Sequence, residues 1–295
     1  MGDKFFAIFS DAVSVKRSGK RLTLIKGDKK ISVLLKNLKA ILVFGNAHFS
    51  GESLNLILSE EVPIFLFTRF GKLKGIIYSE TLASNYNNRL EQYELYKNKR
   101  LEVAKFFVLK KVGEIENVFQ LSLEEYKQKL LEASDLNEVR GIEGIVSKLM
   151  FERVKETLTD SPFKFEERSY YPPKDEVNAL LSLTYTLIYA MTYPLVVSLG
   201  YDPYISFLHS KRGTHMAFCS DVMEVSRPFA TYELVEKIKA KVFKKSDFDN
   251  NSKGIYLNPE GLNKLLNFVE NISDRVLELI RDCLAEFSTF AEDLK

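Results

Sequence analysis

The stretch Val13-Ser14-Val15-Lys16-Arg17-Ser18-Gly19-Lys20-Arg21-Leu22-Thr23-Leu24-Ile25-Lys26-Gly27-Asp28-Lys29-Lys30-Ile31-Ser32-Val33-Leu34-Leu35 falls into three short runs, cut at Ser18-Gly19 and at Lys26-Gly27-Asp28. A period of two puts alternate side chains on opposite faces of a strand, and short glycine-bearing breaks join antiparallel neighbours, so the stretch predicts hairpins. Outward from it, Ala40 to Phe44 and Val62 to Phe67 are continuous apolar runs of strand length. Between them Ser50 to Leu58, amphipathic and begun by a serine, is expected to form a short helix. Strand signals stop after Ser79, and nearly everything from Asn85 to Leu294 has helical spacing with long side chains. The expected fold class is therefore α+β in two domains. A small N-terminal β domain over 1–78 is followed by a linker at 79–85 and a larger all-α C-terminal domain over 86–295.

Bulk properties narrow the function less than their distribution does. The 295 residues exceed the usual size of a single core, and the 45% hydrophobic content suffices to fill one large domain or two unequal ones. Net charge is only +2, yet residues 1 to 40 hold ten Lys or Arg against three Asp, a local +7. Two distant cysteines, Cys219 and Cys283, make neither a zinc ribbon nor a disulfide framework and suit a reducing cytoplasm. The N-terminus has no apolar leader run. Val177 to Tyr201 carries no charge and is long enough to span a bilayer, but its scattered Thr, Tyr and Pro194 suit a helix buried in a bundle. A helix expected from Asn87 to Lys111 carries Arg89, Lys97, Lys99, Arg100, Lys105, Lys110 and Lys111, as a solvated face or as a DNA-facing one.

Familiar phosphate-binding and nucleophile signatures are missing. There is no Walker A lysine, no G-x-G-x-x-G and no G-x-S-x-G, and Gly71-Lys72-Leu73-Lys74-Gly75 reads as a turn. Three histidines leave little room for a His-rich zinc site. Glu143 lies in Gly141-Ile142-Glu143-Gly144-Ile145-Val146, expected at the start of a helix. There it heads the stripe of Val146, Ser147, Met150 and Val154, or else is an exposed first-turn glutamate favoured by the helix dipole. His209 follows Tyr201-Asp202-Pro203-Tyr204-Ile205-Ser206-Phe207-Leu208, where Asp202 as N-cap and Pro203 as first helical residue place it two turns into a short apolar helix. Asp221 and Glu224, three apart, share one helical face before Arg227-Pro228. Each site alone also fits a plain structural role. Together they offer two carboxylates and an imidazole, a hard O/N set that suits Mg2+ or Mn2+.

The order of segments resembles the CRISPR-associated integrase of spacer acquisition, the Cas-one family, over nearly the whole chain. The resemblance is carried by Ala40 to Gly45, Phe49-Ser50, Val62 to Phe67, Gly71, Gly75, Arg89 to Tyr93 and Gly141-Ile142-Glu143-Gly144. More specific is Arg168 followed by Tyr171-Pro172-Pro173-Lys174-Asp175-Glu176-Val177-Asn178-Ala179-Leu180-Leu181-Ser182. Gly200 to Pro203 leading to His209, Ser220 to Glu224 leading to Arg227-Pro228, and Gly254 to Leu257 with Glu260-Gly261 complete it.

The resemblance implies Glu143, His209 and Glu224 as catalytic residues and metal ligands, with Asp221 supporting them from behind. It implies a small N-terminal β domain serving dimerisation and DNA contacts, a homodimer, and assembly with the small Cas-two protein around a DNA fragment. The expected reaction is attack of the fragment's 3′-hydroxyl on a phosphodiester at the CRISPR repeat boundary, with Arg168, Lys211, Arg212 and Arg227 as candidate phosphate contacts. Alanine at Glu143, His209 or Glu224 is expected to remove strand transfer and leave the fold intact. A general metal-dependent nuclease and a non-catalytic DNA-binding scaffold are the alternatives.

Overall fold

The computed structural model describes residues 4–8, 12–68, 73–80, 86–170, 172–210, 213, 215–251 and 254–294. The chain divides into two compact units, Met1–Asn85 and Tyr86–Lys295. Of the expected linker, residues 81–85 lie outside the described residues.

The first unit is strand-rich. Strands β2 (Val13–Ser18), β3 (Arg21–Lys26) and β4 (Lys29–Leu34) form the expected antiparallel meander, and β6 (Ala47–Phe49) adds to β2 in parallel. Val13, Val15, Leu22 and Leu24 point into the core, while Lys16, Arg17, Lys20, Arg21, Lys29 and Lys30 are exposed. The alternation thus separates a buried face from a basic rim. A second sheet runs β1 (Lys4–Ile8), β5 (Leu38–Phe44), β7 (Ile64–Phe67), β8 (Leu73–Ile77). Its β1/β5 and β5/β7 pairs are parallel and its β7/β8 pair antiparallel. Helix α1 (Gly51–Ser59) lies between β5 and β7 in the chain, as a parallel pair requires of its crossover. The Ser50 side chain caps it by accepting from the Ser53 amide at 3.2 Å. Residues 71 and 72 lie outside the described residues, and Leu73 to Gly75 belong to β8, not to a turn.

The second unit is helical: α2 (Asn87–Asn98), α3 (Arg100–Phe119), α4 (Glu124–Glu132), α5 (Leu136–Thr157), α6 (Glu176–Ser198), α7 (Ala217–Met223), α8 (Arg227–Lys239) and α9 (Pro259–Asp293). The single helix expected from Asn87 to Lys111 is broken at Lys99, so its basic residues do not share one continuous face. Helix α6 is long and apolar enough to cross a membrane by length and composition, yet 61% of its apolar window is buried inside the unit. It is a core helix here.

The Arg168 to Ser182 motif explains how α6 begins. Asp175 caps the helix by accepting from the Asn178 amide at 2.7 Å, and the buried Asn178 carboxamide donates to Glu167 O at 2.9 Å and accepts from Ser169 N at 2.8 Å. Every hydrogen-bonding group of that asparagine is matched, which is what permits a polar side chain there.

One hairpin escaped the helical reading. Strands β9 (Phe248–Asn251) and β10 (Gly254–Leu257) pair antiparallel, four residues each, too short for periodicity to register. Gly254 adopts φ +132, and a Cβ there would stand 2.9 Å from both Pro172 Cβ and Pro173 O, so the Pro-Pro pair seats directly on this glycine. At Gly261 a Cβ would meet the Asp247 carbonyl oxygen at 2.3 Å. Asp247 is itself buried and held by Lys264 Nζ at 2.8 Å, so the contact has nowhere to yield. Gly261→Ala is expected to cost about 1–3 kcal/mol through overpacking, read as a lowered urea midpoint at unchanged slope.

Candidate metal centre

Four segments of the second unit converge. Helix α3 supplies Lys111, α5 supplies Glu143, the loop before α7 supplies His209, and Asp221 and Glu224 come from α7 and the single 3-10 turn after it. Glu143 lies two turns inside α5, which starts at Leu136 under an Asp135 cap, so it is not a first-turn residue. Arg227-Pro228 does not simply end a helix but opens α8, with proline in its first turn, where a missing amide hydrogen costs nothing.

His209 is not on a helix. Residues 201 to 210 are turns and bends, and the Asp202-Pro203 signal makes an Asx-type turn in which Asp202 Oδ1 accepts from Tyr204 N at 2.8 Å. Asp221 is the reason the loop holds its shape. Its fully buried carboxylate accepts from the backbone amides of Phe207 at 2.6 Å, Leu208 at 3.1 Å and His209 at 3.0 Å. The loop carbonyls are also matched, Phe207 O by Arg100 Nε at 3.0 Å, Leu208 O by Arg140 Nε at 2.9 Å, and Asp202 O and Ile205 O by Gln92. Side chains here replace the acceptors and donors that a helix would have supplied.

The same carboxylate sets the imidazole. Asp221 Oδ1 lies 2.8 Å from His209 Nδ1, which leaves Nε2 turned toward Glu224 Oε1, 3.7 Å away. With the proton on Nδ1, Nε2 offers a lone pair, the arrangement that orients a ligating histidine. Burial pulls the His209 pKa down, but the Asp221 hydrogen bond and the charge of Glu224 outweigh it and raise the value.

Glu224, 1% exposed, has cationic neighbours on both oxygens: Lys111 Nζ at 2.6 Å from Oε2 and Arg227 Nη1 at 2.6 Å from Oε1. Both oxygens are held by these ion pairs, and neither has a hydrogen-bond partner beyond them. Burial pushes its pKa up, and Arg227 and Lys111 more than reverse this, holding the carboxyl at about 2. Glu143 accepts from Ser147 Oγ at 2.9 Å and shares the Lys111 ammonium with Glu224. Among the described residues no three His, Cys, Asp or Glu close into a ready metal cage, and the Lys111 ammonium stands between the two glutamates. The donor set still fits a divalent ion: two oxygens lacking hydrogen bonds, a second carboxylate on the same cation position, and an oriented imidazole nitrogen.

Lys111 is the residue the sequence reading misplaced. It is 3% exposed and not part of a solvated or DNA-facing surface. It sits on the buried stripe of Ala104, Phe107, Val108, Val112 and Ile115, and a lysine at that spacing was the available signal. The four phosphate candidates separate. Lys211 and Arg212 lie outside the described residues. Arg168 turns inward to Asn178 Oδ1 at 2.8 Å and Ser182 Oγ at 3.1 Å, and Arg227 is engaged by Glu224 and by the Tyr185 ring, 4.9 Å from guanidinium to centroid. Beside His209 a cleft of about 400 Å3 is walled by Tyr93, Tyr96, Arg100 and Tyr204.

The family model for CRISPR associated protein Cas1 matches residues 6–271. A CRISPR-associated endonuclease Cas1 from Thermotoga maritima is 27% identical over 276 residues, 90% of this chain and 86% of that one. A solved Cas1 protein from the same organism superposes with a TM-score of 0.87 at 24% identity, covering 98% of this chain and 96% of that one. A casposase bound to integration product matches at TM-score 0.79 and 19% identity over 91% of this chain and 82% of that one. A chain of a Cas6-RT-Cas1–Cas2 complex matches at TM-score 0.79 and 20% identity over 99% of this chain and 35% of that one. The structural likenesses speak for the fold, a strand-rich N-terminal unit followed by a helical one. With the family model spanning nearly the whole length, including Glu143, His209, Asp221 and Glu224, this chain belongs to the CRISPR-associated Cas1 family.

Proposed function

We propose that the protein is a divalent-metal-dependent DNA endonuclease and integrase of CRISPR adaptation, joining the 3′-hydroxyl of a DNA fragment to the repeat boundary. The observation that carries this is the sharing of one buried cation, Lys111 Nζ, by Glu143 and Glu224, with His209 Nε2 3.7 Å from the other Glu224 oxygen and Asp221 fixing the imidazole from behind. Glu143, His209 and Glu224 would hold Mg2+ or Mn2+. A bound divalent ion supplies Lewis-acid polarisation of the scissile phosphate and stabilises charge developing on oxygen.

The chain's own groups do the rest. Arg227, pinned between Glu224 and Tyr185, keeps positive charge beside the reacting centre, and Asp221 holds Nε2 of His209 in its ligating orientation. Lys211 and Arg212, two and three residues after His209 in the sequence, are the candidate phosphate contacts, and Arg168 supports the start of α6. The tyrosine-walled cleft beside His209 offers ring faces and the Arg100 guanidinium to a DNA strand leaving the centre. The exposed lysines and arginines of β2 to β4 give the first unit a basic, salt-sensitive DNA surface. The reading places the protein in the cytoplasm as a homodimer working with Cas2. Support comes from the endonuclease name of the Thermotoga relative and from the casposase and Cas1–Cas2 complexes among its fold neighbours.

The test is a strand-transfer assay in which a DNA fragment with free 3′-hydroxyls is incubated with a repeat-bearing plasmid. Wild type is expected to yield joined product with Mg2+ or Mn2+ and none in chelator, and Glu143→Gln and His209→Ala are expected to lose at least about a hundredfold in rate. Cleavage without any joined product would instead mark a general nuclease.

A further inference from the structure

Glu143 and Glu224 together carry two negative charges, and Lys111 and Arg227 answer them with two positive ones. The Asp221 carboxylate, engaged by three backbone amides and His209, leaves the cluster with one net negative charge when the imidazole is neutral. A divalent ion added beside both resident cations would turn this into a net positive charge in a largely buried place, which is disfavoured. The ion would also need the carboxylates that the Lys111 ammonium already occupies, so a resident cation has to leave for the ion to enter. Arg227 is fixed, its guanidinium lying over the Tyr185 ring and its backbone opening α8. Lys111 has a flexible four-carbon stem, and its ammonium is held by Glu143 and Glu224, the two carboxylates the ion needs.

We propose that Lys111 is a tethered counter-cation that holds Glu143 and Glu224 together in the metal-free protein and is displaced from between them when the divalent ion binds. This rests on the metal-centre reading above. Metal loading is then an exchange of an ammonium for a divalent ion, and the lysine makes the site's metal affinity weaker than its donor set alone would give. The metal-free protein meanwhile escapes two adjacent unpaired carboxylates, one of them fully buried.

Two measurements on the full-length protein test the exchange. In isothermal titration with MnCl2, Lys111→Met is expected to bind at least about tenfold more tightly than wild type, because the competing charge is gone. In wild type, an amine-reactive succinimidyl ester with peptide mass mapping is expected to leave Lys111 unlabelled in chelator and to label it in saturating Mn2+. Equal or weaker Mn2+ binding by a folded Lys111→Met protein overturns the exchange, as does protection of Lys111 that does not change with metal. If Lys111→Met fails to fold, the wild-type labelling decides alone. A wild type with no saturable Mn2+ site would sink the metal-centre reading itself, an outcome distinct from a wild type that binds Mn2+ while Lys111 stays protected.

Discussion

Glu224→Ala is expected to abolish strand transfer and also to destabilise the metal-free protein by about 3–5 kcal/mol, because Arg227 loses its carboxylate partner and the buried Lys111 keeps only Glu143. Lys111 and Glu224 are 4% and 1% exposed at the side chain, and Arg227 is 26% exposed, so water cannot take over the lost interaction at Lys111. This corrects the expectation from sequence that alanine at Glu224 would leave the fold intact. The residue is a structural counter-ion as well as a proposed ligand. Glu224→Gln keeps the shape and tests charge alone, and it should lose metal binding with a smaller stability cost. The same carboxyl predicts an acid limit. Its folded value of about 2 lies below the ordinary 4.5, so its stabilisation is fully present above pH 4.5 and is lost as pH falls toward 2. Urea denaturation across that window, wild type against Glu224→Gln in chelator, should show the acid-linked slope reduced in the variant.

Asp221→Ala is expected to be the more damaging change to the loop itself. Three buried or half-buried backbone amides lose their acceptor at once, each worth about 1–3 kcal/mol when left unsatisfied, and the imidazole loses its anchor. His209→Ala removes one ring and leaves those amides paired to Asp221. The contrast is the prediction: both variants lose strand transfer, but only Asp221→Ala drops the urea midpoint markedly. Faster backbone amide exchange at 207–209 in Asp221→Ala, and not in His209→Ala, would localise the damage. Equal stability of the two would mean that Asp221 does not hold the loop.

How legible this was in the sequence depended on whether the signal was local. The β2 to β4 meander and the Ser50-capped α1 followed from alternation, glycine turns and a capping serine, all of which act within a few residues. The parallel pairing of β5 with β1 and β7 did not, since nothing inside an apolar run specifies which distant strand it meets. Asp202-Pro203 shows the ambiguity of a local cue, for the same pair that starts a helix here closes a turn, and the choice was made by Asp221 some twenty residues on. Glu143, His209, Asp221 and Glu224 could be named from residue type and family resemblance. Lys111 could not, because its meaning lies in two carboxylates on other elements. Arg168 carried a strong motif whose physical content, the Asn178 network, is structural.

The most direct test of the central claim is the anomalous difference map of a crystal soaked in MnCl2. The account predicts one strong peak among Glu143, Glu224 and His209 Nε2, at about 2.0–2.3 Å from a donor atom of each. No peak there, or a peak that persists unchanged in Glu224→Gln, would contradict it.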